Sequence, residues 1–182
     1  MMVAMSVPLR GDEGTERADG DPLAALHREH YRSLVRLATL VLGDVGLAEQ
    51  IVQDAFVKLQ LRWGGLRRLD RAPAYLRSAV LNGARSQLRH HKVRDRNLAR
   101  RTVAPAMGTP ESTLLDHDAH DRVIAALRAL PVRQREALAL RYYLDLSEAQ
   151  IAAAMGVTPG SVKVHVHRGL EALARTLGEE DR

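Results

Sequence analysis

Ser147-Glu148-Ala149-Gln150-Ile151-Ala152-Ala153-Ala154-Met155-Gly156-Val157-Thr158-Pro159-Gly160-Ser161-Val162 is the stretch whose reading decides the fold. Ser147 is expected to cap a helix, and Gln150 stands three residues later, as a capping box requires. Ile151, Ala152 and Met155 form the apolar face of a short helix. Gly156 permits the left-handed backbone of a tight turn. Val157 points inward, Thr158 caps, and Pro159 takes the first position of a second short helix. That helix is expected to bury Val162, Val166, Leu170 and Leu173. Ser161, Lys163, Val164, His165, His167 and Arg168 are left on its open faces. Two helices at this spacing form a helix-turn-helix whose second helix suits a DNA major groove. Hydroxyls and helix N-terminal amides hold phosphates, Arg and Lys read guanine edges, and a valine can touch a thymine methyl. The plain alternative is a helical hairpin without a ligand.

Further helices are expected upstream. Leu23, Leu26, Leu34, Leu37 and Val41 fall at helical spacing over residues 22–42. Gly43-Asp44 breaks that helix, and Asp44 is placed to cap the next. There Ala48, Ile51, Val52, Ala55, Phe56 and Leu59 share one face, and Glu49, Gln53 and Asp54 lie away from it. Trp63-Gly64-Gly65 ends it, and an arginine-rich loop (Arg67, Arg68, Arg71) follows. Pro73 suits the first turn of a helix that runs through Leu76, Val80, Ala84 and Leu88 to about Lys92. Residues 93–115 read as a charged, then Pro- and Gly-containing, flexible linker. Val123, Ile124, Leu127 and Leu130 mark a helix stopping before Pro131. Pro131 opens another, which carries Leu138 and ends near Asp145. No segment alternates with period two, so an all-α fold of two small helical domains is expected.

Charge sharpens the division. The 182 residues carry 27 Lys and Arg against 22 Asp and Glu, a net of +5. Residues 58–101 hold 13 basic and 2 acidic groups, net +11, while residues 1–57 are net −4 and residues 102–182 net −2. A basic block of this density points to a polyanion, because neutralising phosphates releases counterions. On the helix after Pro73, Ser78, Asn82, Arg85, Ser86 and Arg89 share neighbouring faces, flanked by Arg77 and Lys92. Hydroxyls, an amide and guanidiniums together suit contact with nucleic-acid backbone and base edges. Aromatics make up only 3%, which argues against a broad base-stacking platform. The acidic edge of the preceding helix could be a protein-docking edge, but on sequence alone solvated surface is the favoured reading.

Other classes find little support. There is no cysteine, hence no disulfide framework and no thiolate chemistry. His27 and His30, like His117 and His120, sit at i, i+3, but no further ligand set completes a metal site. Glycine-rich phosphate loops and nucleophile elbows are absent. No catalytic residue, metal or cofactor is therefore expected. Neither a signal segment nor a membrane-length apolar run is apparent, and a cytoplasmic location is expected.

The assembled motifs resemble a bacterial RNA polymerase sigma factor of the extracytoplasmic-function subfamily of the sigma-70 family. Ala48-Glu49-Gln50-Ile51-Val52-Gln53-Asp54-Ala55-Phe56-Val57-Lys58-Leu59 is similar to the family's polymerase-binding helix in region 2. Ala74-Tyr75-Leu76-Arg77, continuing through Asn82 to Arg89, resembles the helix that opens and reads the minus-ten element. Leu130-Pro131-Val132-Arg133-Gln134-Arg135-Glu136, with Leu140-Arg141-Tyr142, resembles the entry to region 4. Gly160-Ser161-Val162-Lys163-Val164-His165-Val166-His167-Arg168 resembles its minus-thirty-five recognition helix. Val164-His165 stand where the family often has Ser then Arg, and Gly169-Leu170 where it often has Ala-Arg, so promoter sequence does not carry over.

Residues 1–20 mix Gly, Asp, Glu and Thr without periodicity and read as a disordered tail; the resemblance implies region 2 over 21–95, a linker over 96–115 and region 4 over 116–178. Glu49, Gln53, Asp54 and Phe56 would dock on the clamp helices of core RNA polymerase. Arg67, Arg68, Arg71, Arg77, Ser78, Asn82, Arg85 and Arg89 would hold the minus-ten DNA. Thr158, Ser161, Lys163, Val164, His165, His167 and Arg168 would engage the minus-thirty-five element. Implied partners are core RNA polymerase and promoter DNA, with an anti-sigma factor as an optional third. Two other readings stay open: a self-standing helix-turn-helix regulator, and a helical protein-interaction adaptor. The first would need a dimerisation or ligand domain, and the second would not need the basic block.

Overall fold

The computed structural model describes residues 21–62, 69–99 and 116–180. The chain is all-α, with seven helices among the described residues. α1 spans Pro22–Leu42. Its cap is Asp21, whose Oδ1 accepts from the Leu23 amide at 3.0 Å. Gly43, at φ 81°, ends it by donating its amide to the Thr39 carbonyl, the left-handed exit that glycine takes without strain. α2 spans Val45–Arg62, and Asp44 Oδ1 accepts from the Leu47 amide at 2.9 Å. The six apolar residues expected to share its face, from Ala48 to Leu59, are all buried. A 3-10 turn, Leu69–Arg71, leads into α3, Ala72–Ala99. Leu76, Val80, Leu81 and Ala84 carry α3 into the core. At Gly83 α3 crosses α2 so closely that a Cβ would sit 2.7 Å from Ile51 Cγ2.

α4 spans Asp116–Ala129 and α5 spans Val132–Leu138, the latter continuing as a π-helical turn over Ala139–Tyr143. α6, Glu148–Met155, has the expected capping box: the Gln150 amide donates to Ser147 Oγ, and the Ser147 amide donates to Gln150 Oε1. Gly156 takes φ 68° in the turn. α7 spans Pro159–Glu180, with the Ser161 amide donating to Thr158 Oγ1 at 3.2 Å.

Three details differ from the sequence-based expectation. α3 continues seven residues beyond Lys92, because no Gly or Pro falls between Ala84 and Ala104 to stop it. α7 is long rather than short, running past Leu173 to Glu180. Leu170, expected inside, is 41% exposed. Each four-residue step advances about 40° beyond a full turn, so 162, 166, 170 drift off the core face. Position 169 stays on it, and Gly169 is there, backed against Leu138.

The two helical groups are packed together. α3 lies against α6, and α1 lies against α4, α5 and the π turn. A single buried cluster runs from Leu37, Val52 and Leu81 through to Leu140, Ile151 and Val162.

Candidate nucleic-acid and polymerase interface

The α2 edge is open. Glu49, Gln53 and Asp54 are exposed, and the uncovered strip beside them includes Val57 at 54% and Leu61 at 82% exposure. Phe56 lies on the opposite side: it is 7% exposed, with its ring 4.8 Å from that of His27 and 6.5 Å from that of Tyr31. A partner docking on the acidic edge would not touch it. His27 stacks on Tyr31 at 4.6 Å between centroids, an aromatic packing role. Among the described residues no group of three His, Asp or Glu is arranged to hold a metal ion, and no helix is long and apolar enough to cross a membrane. His117 and His120 fall where side chains are not described.

The polar face of α3 is partly covered: Arg77, Ser78 and Arg85 are half-buried, while Asn82 is exposed. Ser78 Oγ donates to the Ala153 carbonyl of α6 at 3.5 Å. Arg85 donates through Nη1 to Asn82 Oδ1 at 2.8 Å, through Nε to Glu136 Oε1 at 2.7 Å, and through Nη2 to the Met155 carbonyl at 3.4 Å. Arg77 is half-buried with its Nε unpartnered, and desolvation pulls its guanidinium below the usual arginine range. Arg71 and Arg89, at the two ends of this face, are exposed. Arg67 and Arg68 lie outside the described residues.

α7 presents the opposite case. Lys163, Val164, His167 and Arg168 are exposed, and Ser161 and His165 are half-buried. Ser161 Oγ and Thr158 Oγ1 share a hydrogen bond of 2.9 Å. Lys163 Nζ lies 3.6 Å from Glu148 Oε2, and His167 Nε2 lies 3.3 Å from Glu171 Oε1. Both pairs are exposed and weak enough for a DNA phosphate or base edge to replace. The helix-turn-helix is thus formed and open.

The contacts that close α3 come from residues the sequence reading did not single out. Glu136 is fully buried and binds Arg133 Nη1 at 3.3 Å as well as Arg85. Arg133 Nη1 also reaches the Met155 carbonyl at 3.0 Å. Arg135 donates to the carbonyls of Val41, Arg128 and Leu130. Arg128 Nη2 donates to the Gly43 carbonyl at 3.2 Å. Two arginines therefore dock on the C-terminal end of α1, where the helix dipole favours cations. One signal was available. Val132, Glu136 and Leu140 fall at four-residue steps, which puts a carboxylate on an inward face, where it must find a cation.

Comparison with known proteins agrees with this geometry. Residues 26–94 match the family described as Sigma-70 region 2, and residues 120–173 match Sigma-70, region 4. The chain is 31% identical over 160 residues to the RNA polymerase sigma factor CarQ of Myxococcus xanthus, covering 87% of this chain and 91% of that one. It is 30% identical over 172 residues to the ECF RNA polymerase sigma factor SigL of Mycobacterium tuberculosis (strain ATCC 25618 / H37Rv), covering 91% and 94%. Among solved structures, the sigma factor RpoE of Bartonella quintana, crystallised with the anti-sigma factor NepR, shares the fold. Its TM-score is 0.66 at 23% identity, over 85% of this chain and 97% of that one. CnrH in complex with the cytosolic domain of CnrY superposes with a TM-score of 0.63 at 22% identity, over 90% and 94%.

Proposed function

This chain belongs to the extracytoplasmic-function sigma factors of the sigma-70 family, promoter-specificity subunits of bacterial RNA polymerase, and on that premise we propose how its residues divide the work. The acidic edge of α2 (Glu49, Gln53, Asp54) docks on core polymerase, with exposed Val57 and Leu61 adding apolar contact. Phe56 supports that helix from inside. Asn82, Ser78 and the arginines 71, 77, 85 and 89 hold the minus-ten strand as it separates. Thr158 and Ser161 hold phosphate, while Lys163, Val164, His165, His167 and Arg168 read the upstream element. The protein is a non-enzymatic initiation factor that works in the cytoplasm. An anti-sigma protein is a further partner, by analogy with the two complexes whose sigma subunits share this fold.

One observation carries the reading: the α2 edge and the α7 face lie open, while Ser78 and Arg85 on the basic face of α3 are engaged by the other helical group of the same chain. Arg85 cannot bind Glu136 and a DNA strand together. Holding DNA on α3 therefore requires α5 and α6 to move away, which also frees α7 to reach an upstream element.

Reconstitution with bacterial core RNA polymerase tests this. The purified chain is expected to bind core enzyme and direct run-off transcription from the promoter upstream of its own operon. Failure of both would overturn the reading.

A further inference from the structure

Where the two helical groups meet, a cleft of about 860 Å3 opens between the distal part of α3 and the α4–α5 junction. Its charge is one-sided. One wall carries Arg85, Arg89, His91 and Lys92, and the other carries Arg128, Arg133 and Arg135. Among the described residues, the one carboxylate bonded to any of these cations is Glu136, which takes Arg85 and Arg133. Arg89, His91 and Lys92 bond to no partner among the described residues. Arg135 gives its Nη atoms to carbonyls and leaves Nε buried and unpartnered. Burial, and then the neighbouring Arg128 charge, lower its pKa. Like charges are thus gathered in a concave site, with Glu136 the one carboxylate bonded to them among the described residues.

The chemistry of the lining narrows the ligand. Guanidinium forks match phosphate oxygens bidentately. The lining also includes apolar side chains, Leu88 on α3 and Ala129, Pro131 and Val132 at the α4–α5 junction, which suit the flat face of a base. The volume falls in the range of small-molecule sites and is too small to admit a duplex. The cleft exists only while the two groups are packed together, whereas promoter engagement on α3 needs them apart.

We propose that this cleft binds the phosphate chain of a small molecule, the chemistry shared by nucleoside triphosphates and inorganic polyphosphate, and that the bound ligand holds the two helical groups closed. Phosphate oxygens bridge Arg89 and Lys92 on α3 to Arg128 on the opposite wall. The ligand thereby stabilises the arrangement in which the strand-holding face is partly covered, and acts against promoter use. The ligand site rests on the closed packing alone, while its effect on promoter use rests on the proposed function, so a failed run-off assay would remove that effect and leave the binding itself standing.

Calorimetric titration of the full chain with inorganic tripolyphosphate, and separately with ATP, at fixed ionic strength tests it. Saturable one-to-one binding is expected. Lys92→Glu and Arg128→Glu are each expected to weaken it about tenfold or more. Lys92 is exposed and bonded to no partner among the described residues, whereas Arg128 also donates to the Gly43 carbonyl, so circular dichroism checks the fold of each variant. Lys92→Glu makes none of the interdomain contacts, and so separates loss of the ligand site from loss of closure. Tighter binding of ATP than of tripolyphosphate would place the base on the apolar side chains of the lining; equal binding would assign the site to the phosphate chain alone. The native chain has no cysteine, so dyes on single cysteines introduced at Arg36 and Arg175 report the distance between the groups. That distance is expected to narrow in distribution on ligand addition. No saturable binding of either probe, undiminished binding by both variants, equal competition from sulfate, or binding of promoter duplex alone would overturn the proposal.

Discussion

Arg85 Nε and Glu136 Oε1 meet at 2.7 Å across the boundary between the two helical groups, and the Glu136 side chain is fully buried. A carboxylate out of water is stable only while its cations stay with it. Arg133 supplies one from the same group, at 3.3 Å, and Arg85 supplies the other from α3. The residue that would hold a melted strand is therefore also the residue that holds the chain closed.

Arg85→Ala should lower folding stability by about 1–3 kcal/mol, because Glu136 keeps Arg133 but loses its shorter contact. The radius of gyration from solution scattering should rise as the groups separate. A cycle with Glu136→Gln should show coupling, since the two residues share one bond. Unchanged scattering together with additive stabilities would mean that the pair does not hold the interface.

Gly83→Ala should destabilise the fold despite alanine's better helix propensity. The added methyl would lie 2.7 Å from Ile51 Cγ2, inside any tolerable contact, and overpacking of this kind costs about 1–3 kcal/mol against a propensity gain of about 1 kcal/mol. Ile51→Val, which shortens the opposing side chain, should recover part of the loss in chemical denaturation of the double variant. A stabilised single variant would show that α2 and α3 do not approach this closely.

Most of the helical architecture was legible in the sequence because its signals are local. Asp44, Ser147, Gly43 and Gly156 mark ends through caps and turns, and the α2 face from Ala48 to Leu59 states its burial by spacing. The misreadings have equally physical causes. α3 ran on where no breaker stood, and Leu170 drifted off the core face by accumulated rotation. Phe56 falls on the apolar face of α2 by its spacing, and its ring packs on His27 and Tyr31. The cover over α3 was not legible. It depends on pairs such as Arg85–Glu136, 51 residues apart, whose complementarity no local period encodes.

Asp54→Arg should weaken binding to core polymerase while leaving the helix-turn-helix intact. Asp54 is exposed on the α2 edge, so the change alters surface charge without disturbing the core. Fluorescence anisotropy against core enzyme reads the first effect, and thermal unfolding checks the second. Affinity equal to that of the parent chain would remove α2 from the docking surface.

Asn82→Ala should impair strand separation more than closed-complex formation. In the closed chain Asn82 Oδ1 accepts from Arg85 Nη1 at 2.8 Å, so the amide and the guanidinium form one polar unit. Asn82 is exposed, and once Glu136 and Met155 release Arg85 the unit offers donors and an acceptor to an unpaired base. Permanganate reactivity of promoter thymines measures opening, and gel shift on the same fragment measures the closed complex. An equal loss in both would assign Asn82 to general affinity.

Arg168→Ala distinguishes reading from holding on α7. Arg168 is exposed and forms no ion pair among the described residues, unlike Lys163 and His167, whose contacts with Glu148 and Glu171 would have to be exchanged on binding. It is therefore the side chain on this face whose full donor set is free at no prior cost. If it makes a bidentate contact to guanine, its removal should cost about 1–3 kcal/mol on the cognate upstream element and little on a scrambled one. A phosphate contact would instead lower affinity alike on both sequences and reduce the salt dependence of binding by about one counterion. Anisotropy titrations on the two duplexes at several salt concentrations separate these outcomes, and a variant indistinguishable from the parent chain on both would take Arg168 out of the DNA interface.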